Sequence, residues 1–365
     1  MKRVKSFLPI LVLLCLVQCK TIRPLTGMQQ STAAITKEGF INCFEKGLTA
    51  NGQPVWCEAS AILSDGKNIF FANDKDMPDK RSSVFYWPFK NGFADTTQPA
   101  QYLNSPVLKY GKKFEDFSLT PDGKTVFLTT GFDRVKSGTK EWDGFNTIYY
   151  WKTGNEQNPQ VLRENSTDSS SIFLRDKFSM VLTSPDFPKG LPYFKIEGLA
   201  ATNDQLFFGV REEGKKFDDF KYKVKILTVG YHLTNGMVTL EDNLKILSDI
   251  NIGNVPPFFK QPMGISSIEY DHFNNRFLIL TSFEGGDKNG GYLWTASLSD
   301  LENNKMTLVR TSSGNPVAFS NKSEDIAIIS KRKIIIIHDD DRLQTTINGQ
   351  VRQPHQAGFS VVEFR

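Results

Sequence analysis

A pattern of two short apolar runs separated by a polar turn recurs along this chain and limits the folds that it can adopt. Three copies open with a glutamate and carry an aspartate at the turn seven positions later: Glu58 with Asp65, Glu115 with Asp122, and Glu197 with Asp204. Each copy has the length of a β-hairpin, and the constant spacing fixes the acid relative to the turn. The chain is therefore predicted to be built from one repeated hairpin unit.

Two looser copies follow, over residues 264–282 and 314–330. Both keep the apolar runs and the polar turn, but neither opens with a glutamate. We interpret the hairpin as structural and the glutamate as an addition to it.

Further β-like runs extend each hairpin to about four strands, and helical periodicity is almost absent. The third run of the first two units ends at Trp87 and Trp151, and these units begin 57 residues apart. The sequence predicts an all-β fold, a β-propeller of four-stranded blades with five repeats visible and five to seven blades in total. Residues 359–364 are predicted to pair with N-terminal residues and close the ring. Residues 164–191 are extra to the repeat, and we favour a long loop over a degenerate blade.

The N-terminus has the features of an export signal. Lys2, Arg3 and Lys5 precede an apolar run over 7–17 that is short for a membrane-spanning helix. The run ends at Leu16-Val17-Gln18-Cys19, which resembles the lipobox of bacterial lipoproteins. That resemblance implies a signal peptide over 1–19 and a lipid on Cys19 that attaches the protein to a membrane. Residues 20–36, rich in Thr, Gln and Ser, are then a tether, and the predicted propeller covers 37–365. The expected location is the cell envelope, lipid-anchored in the outer membrane and facing the periplasm or the surface. An ordinary signal peptide or an uncleaved anchor is the alternative.

The charge balance argues against a nucleic-acid partner. The chain has 44 Lys and Arg against 40 Asp and Glu. Removing the three basic residues of the signal leaves 41 against 40, which is close to neutral. No basic footprint for nucleic acid remains.

Two of the four cysteines, Cys43 and Cys57, lie in the predicted folded part. In an exported protein such a pair predicts a disulfide, with two buried free thiols as the alternative.

The propeller topology should bring the acids together. The start of each inner strand and the end of the second strand lie on the same face, so Glu58, Glu115, Glu197 and Asp74 should meet at one mouth of the channel. Such carboxylates would repel unless they bind a cation, pair with arginine or take up a proton. A hard divalent cation, Ca²⁺ above all, suits oxygen ligands. Arg134 and Arg211 could pair with these acids or orient an anionic ligand. In the remaining alternative, each glutamate accepts backbone hydrogen bonds and only stabilises the ring.

The segments Glu58-Ala59-Ser60, Phe114-Glu115-Asp116-Phe117 and Ile196-Glu197-Gly198 resemble the strand-opening motifs of phytase-like, esterase-like propellers. They are more distantly similar to gluconolactonase and regucalcin propellers. The resemblance implies that Glu58 is a ligand of a catalytic divalent metal.

Two functions follow from this reading. The first is an exported lipoprotein whose propeller binds a ligand or an envelope protein at its channel mouth, without catalysis. The alternative is a metal-assisted phosphoesterase or lactonase, in which the cation activates a bound water and Arg211 or Arg134 orients the anion. No nucleophile elbow, P-loop, dinucleotide fingerprint or zinc-helix motif occurs in the sequence.

Overall fold

The structure is a computed structural model that describes residues 31–79, 81–136, 138–254, 261–285 and 288–365. The predicted signal peptide, the lipidation site Cys19 and residues 20–30 of the predicted tether lie outside the described residues. Among the residues that are described, no helix is long and apolar enough to span a membrane.

The first strand, β1 (Ala33–Asn42), starts four residues before the predicted domain boundary at residue 37. It extends further because Ala33 and Ile35 pair with Phe364 and Val362 at the end of the chain. A small hairpin of β2 (Thr49–Ala50) and β3 (Gln53–Pro54) follows. A disulfide between Cys43 and Cys57, with Cα atoms 6.1 Å apart, encloses this hairpin.

Blades 1 and 2 have the predicted hairpins at their inner edges. Blade 1 consists of β4 (Ala59–Ser64), β5 (Asn68–Asn73) and β6 (Val84–Lys90), with β7 (Phe93–Ala94) and β8 (Gln101–Tyr102) outside them. A helix, α1 (Pro106–Tyr110), precedes blade 2, which consists of β9 (Phe114–Leu119), β10 (Thr125–Thr130), β11 (Ile148–Lys152) and β12 (Gln160–Val161). Asp65 shows why an aspartate recurs at the turn: its carboxylate accepts hydrogen bonds from the backbone N–H groups of Lys67 and Asn68.

The extra segment between blades 2 and 3 is not a degenerate blade, but the long loop predicted for it is interrupted by regular structure. It contains a helix, α2 (Ile172–Val181). Leu174 and Phe178 lie one turn apart on the buried side of this helix and pack into the apolar core between blades 2 and 3.

Blades 3 and 4 continue the same order from the channel outwards. Blade 3 consists of β13 (Tyr193–Ala201), β14 (Gln205–Lys216), β15 (Asp219–Thr234), β16 (Met237–Leu240) and β17 (Lys245–Ile250). Blade 4 consists of β18 (Gly264–Asp271), β19 (Arg276–Gly285), β20 (Lys288–Ala296), β21 (Thr307–Leu308) and β22 (Ala318–Phe319), with the helix α3 (Leu298–Glu302) between β20 and β21.

Blade 5 joins the two ends of the chain. Its strands are β23 (Ser323–Ser330), β24 (Lys333–His338) and β27 (Gln356–Phe364), followed by β1, while β25 (Thr346–Ile347) and β26 (Gln350–Val351) form a separate hairpin. The predicted pairing of the last strand with N-terminal residues is confirmed. The strand assignment predicted for the fifth repeat is wrong. Residues 317–319, predicted as the first apolar run of the hairpin, belong to the outer part of blade 4, and β23, predicted as its second run, is the inner strand of blade 5.

The five sheets form a closed ring. Each inner strand contacts the next, and β23 contacts β4, so the propeller has five blades. The apolar core is correspondingly divided into five clusters, each between two neighbouring blades. In β24, Ile335 and Ile337 face blade 1 whereas Ile334 and Ile336 face blade 4. A strand between two blades is buried on both faces, which explains its continuous apolar run.

Candidate functional site

The predicted glutamates lie at one end of the channel, where the inner strands begin and the second strands end. Glu58 immediately precedes β4, Glu115 is the second residue of β9, and Glu197 lies within β13. Asp74 directly follows β5. All four acids belong to a ring of charged side chains at this mouth, which we call the charged belt. The belt comprises Glu58, Asp74, Lys75, Lys113, Glu115, Lys195, Glu197, Arg211, Glu284, Lys322 and Glu324.

Acids and lysines alternate over the first three blades of the belt. Lys75 lies 2.8 Å from both Glu58 and Asp74. Lys113 lies 3.5 Å from Asp74 and 3.3 Å from Glu115. Lys195 is 3.4 Å from Glu115 and also pairs with Glu197. The four predicted acids therefore do not form one metal-ligand set, because lysines separate them.

Arg211 continues the belt into blades 4 and 5. Its Nε lies 3.2 Å from a Glu197 oxygen, and one Nη lies 3.0 Å from Glu284. The other Nη donates to the Ser282 hydroxyl at 2.7 Å. Lys322 then lies 3.1 Å from Glu284 and 2.8 Å from Glu324. Arg211 is 1% exposed, so this predicted anion-orienting residue is held by the protein's own acids.

Most of the acids that lie between two cations are kept ionised. Burial alone would raise the pKa of Asp74, but the charges of Lys113 and Lys75 outweigh it and lower the pKa. The same balance lowers the pKa of Glu197, through Arg211 and Lys195, and that of Glu284. Glu115 differs: burial raises its pKa to about 7 in spite of two lysines. Its Oε1 is buried without a hydrogen bond, and both lysines lie more than 3.2 Å away.

Three carboxylates approach one another between blades 5 and 1. Glu58, Asp339 and Asp341 each offer an oxygen within 4.8 Å of the others, and the first two are buried. Burial raises the pKa of Asp339 to about 8, although Arg352 and Lys322 oppose the shift. This group shares only Glu58 with the predicted metal ligands.

A groove opens beside the belt at the same end of the propeller. It encloses about 480 Å³ between the segment after β10, the N-terminal half of α2 and the hairpin that joins β14 to β15. Its lining residues are Asp133, Arg134, Val135, Trp142, Arg175, Pro192, Tyr193, Lys215, Lys216 and Phe217. Phe217 is 74% exposed and Val135 48% exposed, so apolar surface faces solvent at the rim.

Arg134, the other predicted anion-orienting residue, lies in this groove. Its guanidinium makes two hydrogen bonds to Asp133, at 3.1 and 2.6 Å, and lies 4.5 Å from the centre of the Phe145 ring. Its side chain is nevertheless 43% exposed. Of the two predicted arginines, Arg134 alone is accessible to a ligand.

A second group of acids lies deeper in the channel and was not predicted. Asp325 of β23 accepts hydrogen bonds from Ile62 N at 2.7 Å, Phe117 N at 3.4 Å and the Ser267 hydroxyl at 3.1 Å. Asp116 of β9, which is hydrogen-bonded to Asp325, accepts from Leu199 N at 2.7 Å. These two carboxyl groups therefore connect the inner strands of all five blades. We call them, together with Glu269, the channel-centre acids.

The channel-centre acids favour protonation. Burial and the neighbouring Asp325 raise the pKa of Asp116 well above its ordinary value. Burial raises the pKa of Asp325 itself to about 6, although its hydrogen-bond donors oppose the shift. Burial also raises the pKa of Glu269, whose carboxylate accepts from Ser118 at 3.0 Å. Asp325 accepts the larger number of hydrogen bonds, which favours its ionised form and therefore favours Asp116 as the protonated member of the pair.

The lysines of the belt could have been found in the sequence. Lys113-Phe114-Glu115, Lys195-Ile196-Glu197 and Lys322-Ser323-Glu324 repeat a lysine two positions before a glutamate. Residues i and i+2 of a strand share a face, so the repeat itself places a cation beside each acid. Glu324, the second residue of the inner strand β23, is the opening glutamate of the fifth repeat once that strand is correctly assigned.

No family model and no curated protein sequence matches the chain. Its similarity to phytase-like, esterase-like propellers thus remains a resemblance of short motifs.

Comparison with solved structures finds distant likenesses. A GH62 hydrolase in complex with xylotriose has a TM-score of 0.43 and 12% identity, with 92% of this chain and 97% of that chain covered. The α-L-arabinofuranosidase Arb93A from Fusarium graminearum has a TM-score of 0.40 and 9% identity, covering 92% and 98%. The PQQ-bound aldose sugar dehydrogenase from Streptomyces coelicolor has a TM-score of 0.38 and 11% identity, covering 91% and 98%. These values are too low to bear on function, and the propeller assignment stands on the strand topology itself.

Proposed function

We propose that this chain is an exported, lipid-anchored protein of the bacterial cell envelope whose propeller binds a ligand or a protein partner at the channel mouth. The observation that carries this proposal is the groove beside the belt. It is concave, it has an accessible arginine in Arg134, and its rim exposes Phe217 and Val135. Exposed apolar side chains around a concave site are typical of binding surfaces.

The charged belt supports binding rather than catalysis as the function of this mouth. Its acids and cations are mostly paired with each other, and Arg211 is buried among carboxylates. Such a network stabilises the ring and offers few free groups for a reaction. The groove, by contrast, leaves charged and aromatic side chains accessible.

Photo-crosslinking in cells tests the binding proposal. A photoreactive phenylalanine analogue replaces Phe217 at the groove, or Phe273, which is 46% exposed in the turn between β18 and β19 at the opposite end. We expect an adduct of defined mass at position 217 and none at position 273. Equal labelling at both positions, or none at 217, would argue against the groove as a binding site.

The lipid anchor is tested separately. Metabolic labelling with palmitate should mark the wild-type protein and fail to mark Cys19→Ala. Labelling that persists in Cys19→Ala would exclude this anchor while leaving the binding proposal intact.

A second candidate is a divalent-metal-assisted phosphoesterase or lactonase. The observation in its favour is the group of Glu58, Asp339 and Asp341, whose oxygens suit Ca²⁺. A cation there would activate a bound water, and Arg134, the accessible one of the two predicted arginines, would orient an anionic substrate.

Calorimetric titration with calcium chloride decides whether a cation binds. We expect Glu58→Gln to weaken binding and Glu363→Gln, which changes a half-exposed glutamate near the end of β27, to leave it unchanged. Calcium binding without turnover of phosphate-ester and lactone substrates would contradict the catalytic function and support a non-catalytic cation site.

A further inference from the structure

The helix α2 carries a buried arginine to the wall of the groove. Arg175 is 5% exposed, and it is the middle residue of the three that α2 buries. One Nη donates to the Phe132 carbonyl and the other to the Pro192 carbonyl at 3.2 Å. The guanidinium lies 4.5 Å from the centre of the Phe194 ring. These contacts use two of its five N–H donors, and the groove lies against it.

Arg175 differs from the other buried cations of the protein. Each of the other four buried lysines and arginines in the described part of the chain has a carboxylate within 4.0 Å: Arg211 with Glu197, Lys225 with Glu213, Lys322 with Glu324, and Arg352 with Asp339. No acid among the described residues lies within that distance of Arg175. The nearby Asp133 is already bound by Arg134.

Leaving such a charge buried is unfavourable, because carbonyl dipoles replace only part of the lost hydration. Burial accordingly lowers the pKa of Arg175 to about 10. An anion in the groove would supply the missing counter-charge. The lining includes four cations, Arg134, Arg175, Lys215 and Lys216, against one acid, Asp133.

We propose that Arg175 and Arg134 form an anion-binding end of the groove, and that its ligand is an organic oxyanion, a carboxylate or phosphate joined to an aromatic or apolar group. This rests on the proposed function, since it specifies the ligand of the same groove. A guanidinium is suited to binding an oxyanion through two hydrogen bonds. Trp142, Val135 and Phe217 supply apolar surface for the rest of the ligand, so an inorganic ion would use only part of the site.

The test is calorimetry with the purified full chain and four probes. Benzoate and phenyl phosphate carry the two oxyanions on one ring, benzyl alcohol is the neutral analogue, and inorganic phosphate lacks the ring. We expect benzoate, phenyl phosphate or both to bind about tenfold or more tightly than benzyl alcohol, the range of a charged hydrogen bond. Binding by only one of the two anions identifies its group as the one that the site takes.

Variants assign the effect to the arginines. Arg175→Gln should lose the preference for the anion, while Arg175→Lys, which keeps the charge, should stay closer to wild type. Arg134→Gln tests the accessible partner, and Arg163→Gln removes an exposed arginine outside the groove as the control. If Arg175→Gln fails to fold, as judged by circular dichroism, Arg175→Lys and Arg134→Gln carry the test.

The inference is overturned if neither aromatic anion binds more tightly than benzyl alcohol, or if folded Arg175→Gln retains the preference. The proposed function survives that result if benzyl alcohol binds and Phe217→Ala weakens it, or if crosslinking at position 217 succeeds. The proposed function fails together with the inference only if benzyl alcohol does not bind at Phe217 and crosslinking at position 217 fails as well.

Discussion

The charged belt and the channel-centre acids bury the same residue types in two different ways. In the belt, Asp74 and Glu197 each lie between two cations, and the pKa of each is lowered. In the channel centre, Asp116 and Asp325 have no cation within 4.0 Å among the described residues, and the pKa of each is raised. In most of the belt, buried charge is neutralised by pairing, with Glu115 and Glu324 as the two acids whose pKa burial raises, whereas the channel-centre acids are neutralised with a proton.

The difference shows what each region contributes to the ring. A proton shared by Asp116 and Asp325 lets two small side chains accept backbone N–H groups from several blades at once. The lysines and arginines lie at the mouth instead, where they pair with the acids of the belt. Substitutions should therefore destabilise the belt by removing a counter-charge and the channel centre by removing a hydrogen-bond acceptor.

The largest expected effect comes from removing one partner of the belt. Arg211→Met would remove one of the two counter-charges of the buried Glu197 and of the partly exposed Glu284, leaving Lys195 and Lys322, and we expect a loss of about 3 kcal/mol in the free energy of unfolding. Urea denaturation at neutral pH measures it. Arg134→Met, which removes a half-exposed arginine, should cost less than about 1 kcal/mol. Equal effects of the two variants would mean that the belt is not a coupled network.

In the channel centre, Asp325→Ala should cost about 3 kcal/mol, because it leaves the N–H groups of Ile62 and Phe117 and the Ser267 hydroxyl without an acceptor. Asp325→Asn keeps one oxygen and should cost less. The same urea titration compares them. A loss as large for Asn as for Ala would show that the charge of Asp325, and not its hydrogen bonding, connects the blades.

The hairpins and the position of the belt glutamates could be predicted from the repeat. Apolar runs around Asp65 and Asp122 predicted the hairpins, and the constant distance from Glu58 and Glu115 to those turns predicted that the acids meet at one mouth. The hairpins and the position of the belt glutamates are thus properties of local sequence, because strand alternation and turn chemistry operate over a few residues, whereas the sequence allowed five to seven blades.

What could not be predicted depends on contacts distant in sequence. Asp325 and Asp116 are 209 positions apart, and no local pattern says that they share a proton. Arg175 lies on a helix outside the repeat, so no register places it in the groove. The fifth repeat was misassigned because residues 314–320 are apolar enough to imitate an inner strand, although they form the outer edge of blade 4.

The smallest expected effect, and the sharpest contrast, is in the dependence of stability on pH. The folded-state pKa of Asp116 is raised, so its contribution is fully present below about pH 4, the ordinary pKa of an unfolded aspartate, and is lost as the pH rises. Asp116→Asn donates the same hydrogen bond at every pH. Its stability relative to wild type should therefore increase from about pH 4 to about pH 8.

Glu284→Gln should show the opposite trend. Lys322 and Arg211 overcome the effect of burial and lower the pKa of Glu284 to about 2, so its contribution is present above about pH 4.5 and is lost as the pH falls. Because this side chain is 37% exposed, we expect a cost of only about 1 kcal/mol at neutral pH, shrinking towards zero in acid. Urea titrations against wild type measure the two slopes, between about pH 4 and pH 8 for Asp116→Asn and between about pH 2 and pH 6 for Glu284→Gln. Slopes of the same sign would contradict the division into a paired mouth and a protonated centre, since that division requires one region to gain and the other to lose stability as the pH falls.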